Sequence, residues 1–193
     1  MPEYSGRRTF EELLADRKGQ LEKARYPEQV AAIVAAMTLA FREGHKVLWF
    51  GNGGSAADAQ HLAAEFSGRF LRERKGLPSE ALTVNSSAVT AIANDFGYEN
   101  LFARMVEAHA NPGDVVVGIT TSGTSKNVVR GLETANEIGA TTVAFTGNGG
   151  GTVAEIADLV LVGPDGYSAI VQEVHITMGH IICDLVEQEL LFA

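Results

Sequence analysis

Residues 46–66 read KVLWFGNGGSAADAQHLAAEF, and this stretch contains three structural signals in succession. Its start, Lys46 to Phe50, is a short apolar run typical of a strand that is buried on both faces. The glycine-rich turn Gly51–Ser55 follows, and an alanine-rich segment from about Ala56 to Phe66 then favours a helix. A buried strand that leads through a tight turn into a helix is the repeating unit of a parallel α/β fold.

The same order recurs further along the chain. A second apolar run at 115–119 leads into hydroxyl residues at 120–125 and a predicted helix that ends near Ile138. Further strands are predicted at 141–145 and 159–162, a weaker one at 82–84, and a last helix at about 168–191. Because continuous apolar strands alternate with helices, the pattern predicts a parallel sheet with helices on both faces.

Two helices are predicted ahead of the sheet. Thr9 and Glu12 have the spacing of a capping box, so the first helix should begin there and continue to about Arg25. Pro27 suits the start of the second helix, whose apolar residues recur at helical spacing until Gly44. These apolar stripes indicate contacts with the core or with another subunit.

Length and composition are those of an ordinary globular protein. With 193 residues, 46% hydrophobic and 20% charged, we expect one domain over 1–193, with helices in 1–44 and an α/β core in 45–193. The chain shows neither a secretory signal nor an apolar run of the ~18 residues that cross a bilayer. Its single cysteine, Cys183, suits a reducing compartment, so we expect a cytoplasmic protein.

The net charge constrains both the ligand and its site. A formal charge of −9 argues against nucleic acid or an anionic membrane as a partner, because both need basic surface. The same charge would repel an anionic substrate at long range. A phosphate site in this chain must therefore come from backbone N–H groups and hydroxyls, which add hydrogen-bond donors without net charge.

Two loops have this design. Gly51–Ser55 and Thr120–Ser125 each connect an apolar strand to a helix, whose unpaired N–H groups and dipole favour an anion. A simple helix cap explains either loop alone, but six consecutive small or hydroxyl residues exceed what a cap needs. The glycines at 147–151 have fewer hydroxyls beside them, and we interpret them as a turn. Neither of the first two loops has the G-x-G-x-x-G order or a Walker lysine, which argues against a dinucleotide or NTP site.

Polar residues in two predicted helices are candidates for chemistry. His61 and Glu65 are four residues apart, so they share a helix face and could bind Zn²⁺ or form an ordinary solvated pair. In the last helix four polar residues interrupt an apolar run, and each could instead be a hydrogen-bonded core group: Gln172, Glu173, His175 and His180. By themselves these patterns indicate a sugar-phosphate or nucleotide-binding α/β protein, with a metal site as an option.

Four motifs lie in a fixed order within about residues 30–190: FGNGGSAADAQHLAAE at 50–65, NDFG at 94–97, TTSGTS at 120–125, and QEVH at 172–175 with His180. Together they resemble the phosphoheptose isomerase branch of the SIS (sugar isomerase) domain family. The resemblance implies a flavodoxin-like, three-layer α/β fold and a homotetramer with its active sites at subunit interfaces. It also implies one zinc ion per subunit and an isomerase that converts sedoheptulose 7-phosphate to D-glycero-D-manno-heptose 7-phosphate, towards activated heptose.

The resemblance further implies roles for individual residues. Glu65 and His180 would be the acid–base pair, and zinc would be held by His61, Glu65, Gln172 and His180. Substrate would contact residues from all four motifs: Asn52, Gly53, Gly54, Ser55, Glu65, Asn94, Asp95, Thr120, Thr121, Ser122, Ser125 and Gln172. Eight residues of regular helix separate Gln172 from His180 by ~12 Å, so both reach one metal only if their side chains converge or different subunits supply them.

Three features of the sequence depart from the family's usual pattern. Thr120 stands where the family usually has serine, which keeps the hydroxyl. Ile170 stands where an arginine is often found, which removes a charge partner and bears on substrate preference. Ala56 and Ala57 replace the His-Cys pair that often follows Ser55, as they do in other members.

Other functions within the family remain as alternatives. A non-catalytic SIS protein, like the bacterial one that associates with the replication initiator, would not need Glu65, Gln172 and His180 together. Sugar-phosphate-sensing regulators usually add a DNA-binding domain, for which we expect no room in this chain. An isomerase that acts on a hexulose phosphate is the alternative among enzymes.

Overall fold

A computed structural model describes residues 7–24 and 26–192 of the chain. The strands are β1 (Val47–Gly51), β2 (Ser79–Ala81), β3 (Val115–Ile119), β4 (Thr141–Thr146) and β5 (Leu159–Val162). The helices are α1 (Phe10–Lys23), α2 (Pro27–Arg42), α3 (Gly54–Ser67), α4 (Ser86–Phe96), α5 (Leu101–His109), α6 (Lys126–Ile138), α7 (Gly151–Ile156) and α8 (Ser168–Phe192). A 3-10 turn at Tyr98–Asn100 joins α4 to α5.

The strands form a parallel sheet in the order β2-β1-β3-β4-β5. This is the flavodoxin-like order, in which the direction of strand addition reverses between β1 and β3. Gly51 at the end of β1 lies in register with Ile119 at the end of β3. The loops that follow these two strands therefore leave the sheet side by side, at the place where open α/β sheets bind their ligands.

Helices cover both faces of this sheet, as the apolar strands predicted. Along β1, Val47 and Trp49 pack on one face with α2, α3 and α8, while Leu48 and Phe50 pack on the other with α5 and α6. All four side chains are at most 1% exposed. Two apolar cores separated by the sheet give the predicted three-layer α/β architecture, so the fold prediction is confirmed.

The N-terminal helices begin where the sequence predicts. Thr9 Oγ1 accepts from the Glu12 N–H, and the Glu12 carboxylate accepts from the Thr9 N–H, which confirms the capping box. The helix α1 ends at Lys23, and Arg25, its predicted end, lies outside the described residues. It buries none of its side chains but is joined to α8 by an ion pair of 3.0 Å between Arg17 and Glu173.

The weaker strand predicted at 82–84 is wrong. The edge strand β2 lies three residues earlier, at Ser79–Ala81, where Ser79 also accepts a hydrogen bond of 2.9 Å from the Trp49 indole. Residues 82–84 form a turn, and Leu82 is 1% exposed in the core on the α5 and α6 side of the sheet. The apolar signal at Leu82 thus comes from core packing. The helices α4 and α5, which follow this turn, were not predicted.

The last helix, α8, is long and apolar enough to cross a bilayer by length and composition. The expectation that no segment meets this criterion is therefore wrong. Half of the most apolar 18-residue stretch of α8 is buried inside the protein, however. Its residues Val174 and Ile182 pack in the core on the α2 and α3 side of the sheet. We conclude that α8 is a core helix.

Candidate active site

The loop after β1 is fixed by a pair of amides. Asn52 Nδ2 donates to Asn127 Oδ1 at 2.9 Å, and Asn127 Nδ2 donates to Asn52 Oδ1 at 2.8 Å. Asn52 Oδ1 also accepts a hydrogen bond of 2.8 Å from the Tyr98 hydroxyl. Asn127 is 3% exposed in the first turn of α6. The pair therefore ties the first loop to the helix that follows the second loop.

The N-terminus of α3 packs against the side chain of Gln172. A Cβ at Gly54 would lie 2.7 Å from both terminal atoms of the Gln172 amide, so only glycine permits this approach. Gln172 Nε2 donates to Ser55 Oγ at 3.4 Å, and Ser55 itself is 3% exposed. The structure thus brings together Gly54, Ser55 and Gln172, three of the predicted substrate residues.

The second loop concentrates hydroxyl groups at the N-terminus of α6. Thr120 Oγ1 lies 3.1 Å from Ser125 Oγ and 3.4 Å from Ser122 Oγ. Ser125 immediately precedes α6, but its side chain makes no capping bond to the helix. Thr121 Oγ1 lies 3.1 Å from Ser168 Oγ, at the start of α8. These neutral hydroxyls at two helix N-termini form a group of hydrogen-bond donors that suits a phosphate group.

The glycine-rich loop at 147–151, interpreted from sequence as a turn, supports the second loop. Asn148 has a left-handed backbone conformation, with a φ of 52°. Its side-chain Nδ2 donates to Thr121 O at 3.0 Å, and its Oδ1 accepts from Gly166 N at 2.9 Å. A Cβ at Gly123 would overlap Gly150 O, so the two loops touch backbone to backbone. Residues 147–150 do form a turn, and the short α7 follows them.

A cluster of three metal-binding side chains lies between α3 and α8. One ligand atom each from His61, Glu65 and His180 can be placed within 4.8 Å of the others. His61 Nε2 lies 2.8 Å from His180 Nε2 and 3.2 Å from Glu65 Oε1. A single hydrogen on His61 Nε2 can serve only one of these contacts. Two imidazoles and a carboxylate that converge in this way match the donor set of a zinc site.

The fourth predicted zinc ligand, Gln172, lies further along the same helix. Both Gln172 and His180 belong to the continuous helix α8, so their Cα atoms are ~12 Å apart along its axis. The contact of the Gln172 amide is with Ser55, at the N-terminal end of α3, whereas His180 contacts His61 one turn and a half later. The end of the α3–α8 contact that holds Ser55 and Gln172 thus adjoins the first loop, and Gln172 stays a predicted ligand.

Asn94 and Asp95 lie at the exposed C-terminal end of α4. The Asn94 amide donates to the Asp95 carboxylate at 2.8 Å. Three residues on, the Tyr98 hydroxyl bonds to Asn52, which places this end of α4 beside the first loop. The NDFG motif therefore flanks the site from the side of the sheet opposite to α8.

Two titratable groups lie on the helices that carry the cluster, the half-buried Asp58 on α3 and the buried His175 on α8. Burial raises the pKa of the Asp58 carboxyl to about 6, which nearby His61 opposes, and Asp58 Oδ2 is buried without a hydrogen-bond partner in the described part of the chain. Burial lowers the pKa of His175 to about 4, partly offset by its hydrogen bond of 2.8 Å to Thr146 O. Because a carbonyl only accepts, His175 Nε2 carries a proton. The lowered pKa keeps the ring neutral near pH 7.

Several residues that shape the site were not predicted from sequence: Tyr98, Asn127, Asn148 and Ser168. For Asn127 a signal was available, since it lies in helical phase with the buried Gly131 and Ala135. A polar side chain on the buried face of an amphipathic helix needs a partner, and here that partner is Asn52. The other three contact the loops through hydrogen bonds between distant segments, which no local pattern reveals.

Comparison with known proteins adds a family to this geometry. A sequence model described as SIS domain matches residues 9–147. The phosphoheptose isomerase of Aquifex aeolicus is 53% identical over 163 residues, which cover 84% of this chain and 85% of the relative. That of Geotalea daltonii is 55% identical over 162 residues, 84% of each chain.

A solved structure agrees with these sequence relatives. The phosphoheptose isomerase of Neisseria gonorrhoeae superposes with a TM-score of 0.83 at 37% identity. The superposition covers 92% of this chain and 99% of the other. The two chains therefore share the fold over nearly their whole length.

Proposed function

The chain belongs to the SIS domain family, in its phosphoheptose isomerase branch, and from this premise we propose that it converts sedoheptulose 7-phosphate to D-glycero-D-manno-heptose 7-phosphate. It is an isomerase, and its homologues support a sugar phosphate as the substrate. The observation that carries the specific proposal is the convergence of His61, Glu65 and His180 on α3 and α8. The N-termini of these two helices adjoin the loops Gly51–Ser55 and Thr120–Ser125, called here the phosphate-type loops. A protein that only binds sugar phosphate does not need that cluster.

The second loop would hold the phosphate group. At the N-terminus of α6, Thr120 Oγ1 lies within 3.4 Å of the hydroxyls of Ser122 and Ser125, and Thr121 lies beside the N-terminus of α8. Helix dipoles and hydroxyls attract a dianion locally, although the formal charge of the chain is −9. With the phosphate at this loop, the sugar would extend towards the loop after β1 and the cluster between α3 and α8.

Glu65 would move the proton between the two reacting carbons. Its carboxylate removes a proton from the carbon next to the carbonyl, which leaves an enediolate, and returns that proton to the former carbonyl carbon. The carbonyl oxygen gains a proton in this shift, and the neighbouring hydroxyl loses one. His180 would transfer protons among the substrate oxygens or assist opening of the cyclic sugar. Coordination to a metal lowers the basicity of a carboxylate, so Glu65 has to keep one oxygen free for the proton.

Zinc is the metal that fits these residues, and we propose that His61, Glu65, His180 and Gln172 would hold one ion per subunit. The three-residue cluster has the nitrogen and oxygen donors that zinc prefers. When bound, the ion would act as a Lewis acid that polarises the carbonyl and the adjacent hydroxyl. Because Gln172 and His180 are separated along α8, Gln172 would join the metal only if the two side chains converge or if different subunits supply them.

The cellular setting follows from the same proposal. We propose a cytoplasmic enzyme that acts early in the synthesis of activated heptose, as a homotetramer with its sites at subunit interfaces. The exposed apolar side chains of α1, Phe10 at 71% and Leu14 at 40%, support a contact with another subunit.

The direct test is turnover of sedoheptulose 7-phosphate by the purified protein, with the product identified by NMR. We expect the heptose 7-phosphate to form, and we expect fructose 6-phosphate, a hexulose phosphate, to react far more slowly. Faster turnover of the hexulose phosphate would favour the other isomerase. If neither sugar reacts while sedoheptulose 7-phosphate still binds, the non-catalytic alternative is supported.

The metal part of the proposal has its own test. We expect His61→Ala to weaken zinc affinity and to lower activity, and added zinc should restore part of that activity. A zinc affinity equal to that of the wild type, measured by competition with a chelator, would exclude His61 as a ligand. His109→Ala is the matched control, since His109 is exposed at the C-terminal end of α5.

A further inference from the structure

A buried carboxylate outside the cluster organises the segment that follows α3. Glu187, two turns after His180 on α8, is 0% exposed. Its oxygens accept hydrogen bonds of 2.9–3.0 Å from three successive backbone N–H groups and one guanidinium: those of Phe70, Leu71, Arg72 and Arg74. Burial alone would raise the pKa of Glu187, but these donors outweigh it and hold that pKa below its ordinary range. Residues 68–76, named here the wrap segment, are thereby fixed around one anion.

The wrap segment touches the cluster at two points. Arg74 Nη2 donates to the backbone carbonyl of Glu65 at 2.7 Å, in the last turn of α3. The Phe70 ring stacks on the imidazole of His180, with centroids 5.4 Å apart and planes 21° from parallel. The His61 ring meets the same imidazole at 61°, with a centroid distance of 5.0 Å. The His180 ring is thus held between a flat apolar neighbour and His61.

The stacking contact can orient the imidazole because the χ2 torsion of histidine has no sharp minimum of its own. Rotation about this torsion has broad minima, so neighbouring groups decide where the ring nitrogens point. In the observed orientation His180 Nε2 faces His61 Nε2 at 2.8 Å. Glu187 lies ~10 Å from His180 along the helix, so it can influence the ring only through the wrap segment.

We propose that Phe70 is a positioning residue for His180, held over the imidazole by the hydrogen bond from its own backbone N–H to Glu187. This inference rests on the proposed function in one respect, the role of His180 in catalysis and metal binding. The contacts that carry this role are the stack of Phe70 on His180 and the bond from its N–H to Glu187. Phe70 therefore acts on the orientation of His180 and leaves phosphate binding to the second loop.

Two substitutions at Phe70 distinguish the effect of a flat aromatic face from that of any apolar side chain. Phe70→Leu keeps an apolar side chain but removes the stacking face, whereas Phe70→Tyr keeps that face. Since small misplacements of catalytic groups are costly, we expect Phe70→Leu to lower kcat for sedoheptulose 7-phosphate about 10-fold with KM changed less than about twofold. Zinc affinity should fall about 10-fold as well, because one ligand is no longer oriented before binding. Phe70→Tyr should retain both properties.

The neighbouring residue supplies the control. Leu71 has a side chain that is 58% exposed, and its backbone N–H also bonds to Glu187, so Leu71→Ala should leave kcat and zinc affinity unchanged. Wild-type kcat and zinc affinity in Phe70→Leu would overturn the proposal. An equal loss in Phe70→Leu and Phe70→Tyr would also overturn it, because volume and not the flat face would then matter.

The readouts distinguish this inference from the proposed function. If the wild type does not isomerise the heptose phosphate, the proposed function fails, while zinc titration of the two variants still decides the role of Phe70. An NMR spectrum of the His180 imidazole gives a third readout without substrate or metal. We expect its signals to shift or broaden in Phe70→Leu only, and unchanged signals there would count against the stack as the orienting contact.

Discussion

Glu65 projects from α3 with 22% of its side chain exposed, 3.2 Å from His61 Nε2. The substitution Glu65→Gln keeps the size and removes the base. Because a positioned general base contributes ~10²–10⁴-fold, we expect turnover to fall by at least that factor while phosphate binding persists. Steady-state kinetics and calorimetric titration with inorganic phosphate measure the two properties.

A control for this substitution lies on α6. Glu133 is exposed there, so Glu133→Gln should have near-normal kinetics. If His61 and Glu65 were only a solvated pair, worth ~0.3–0.5 kcal/mol, Glu65→Gln would behave in the same way. Wild-type turnover in Glu65→Gln would therefore refute the assigned mechanism.

The lowered pKa of His175 predicts that the free energy of unfolding depends on pH. Burial lowers its folded pKa to about 4, from the ordinary histidine value of 6.5. Between these values the unfolded chain binds a proton that the native ring does not, so the free energy of unfolding falls as the pH falls from 6.5 to 4. The loss should reach at most about 3 kcal/mol at pH 4.

Urea denaturation at a series of pH values would measure this loss. His175→Gln keeps an N–H donor for Thr146 O and cannot titrate, so it should remove up to one proton from the pH dependence. His109→Gln, an exposed histidine, is the comparison that should leave the slope between pH 4 and 6.5 unchanged. The same slope in His175→Gln as in the wild type would mean that other groups dominate.

At the scale of elements, the loop at 147–151 holds the second loop, Thr120–Ser125, in place. Asn148→Gly keeps the left-handed backbone conformation accessible but removes the hydrogen bonds to Thr121 O and Gly166 N. We expect KM for the sugar phosphate to rise about 3- to 10-fold, the value of one net hydrogen bond or more, with kcat little changed. Steady-state kinetics would show this as a change confined to KM.

The control for Asn148→Gly lies at the opposite end of the strands. Asn111 is exposed ahead of β3, so Asn111→Gly makes a similar backbone change far from the site and should leave KM unchanged. Equal KM values in Asn148→Gly and the wild type would show that the second loop holds its own shape.

At the scale of the whole molecule, we expect a tetramer. Apolar side chains remain exposed on several helices, among them Phe10, Leu39 and Ile181 at 42–71%. Burying them between subunits is favourable in proportion to the apolar area removed from water. Light scattering should give about four times the 20.5 kDa of one chain, and a monomer at working concentrations would contradict the prediction. One domain over 1–193 likewise stays a prediction.

The net charge of −9 also acts at this scale. It gives a long-range field that repels a sugar phosphate, so the site must capture its ligand through short-range dipoles. The structure supplies these from the N-termini of α3, α6 and α8, which all lie near the two loops. The local hydrogen-bond donors therefore attract the same ligand that the net charge of the chain repels.

The sequence by itself determined most of the elements and the positions of the loops that follow β1 and β3. Four of the five strands, the N-terminal helices and the helices α3, α6 and α8 lie where it predicts them, within one or two residues. The reason is physical: apolar runs, helical spacing, capping residues and glycine turns are local, and they act on neighbouring residues of the chain. The spacing of His61 and Glu65 on one helix face is a signal of this kind.

Only the tertiary structure decided which of these elements meet. His61 and His180 are 119 residues apart and touch because α3 and α8 pack on one face of the sheet. Asn52 reaches Asn127 because β1 and β3 are adjacent, and the position of β2 depends on its pairing with β1. Such contacts depend on strand order and on burial across the whole core, which no short stretch of sequence encodes.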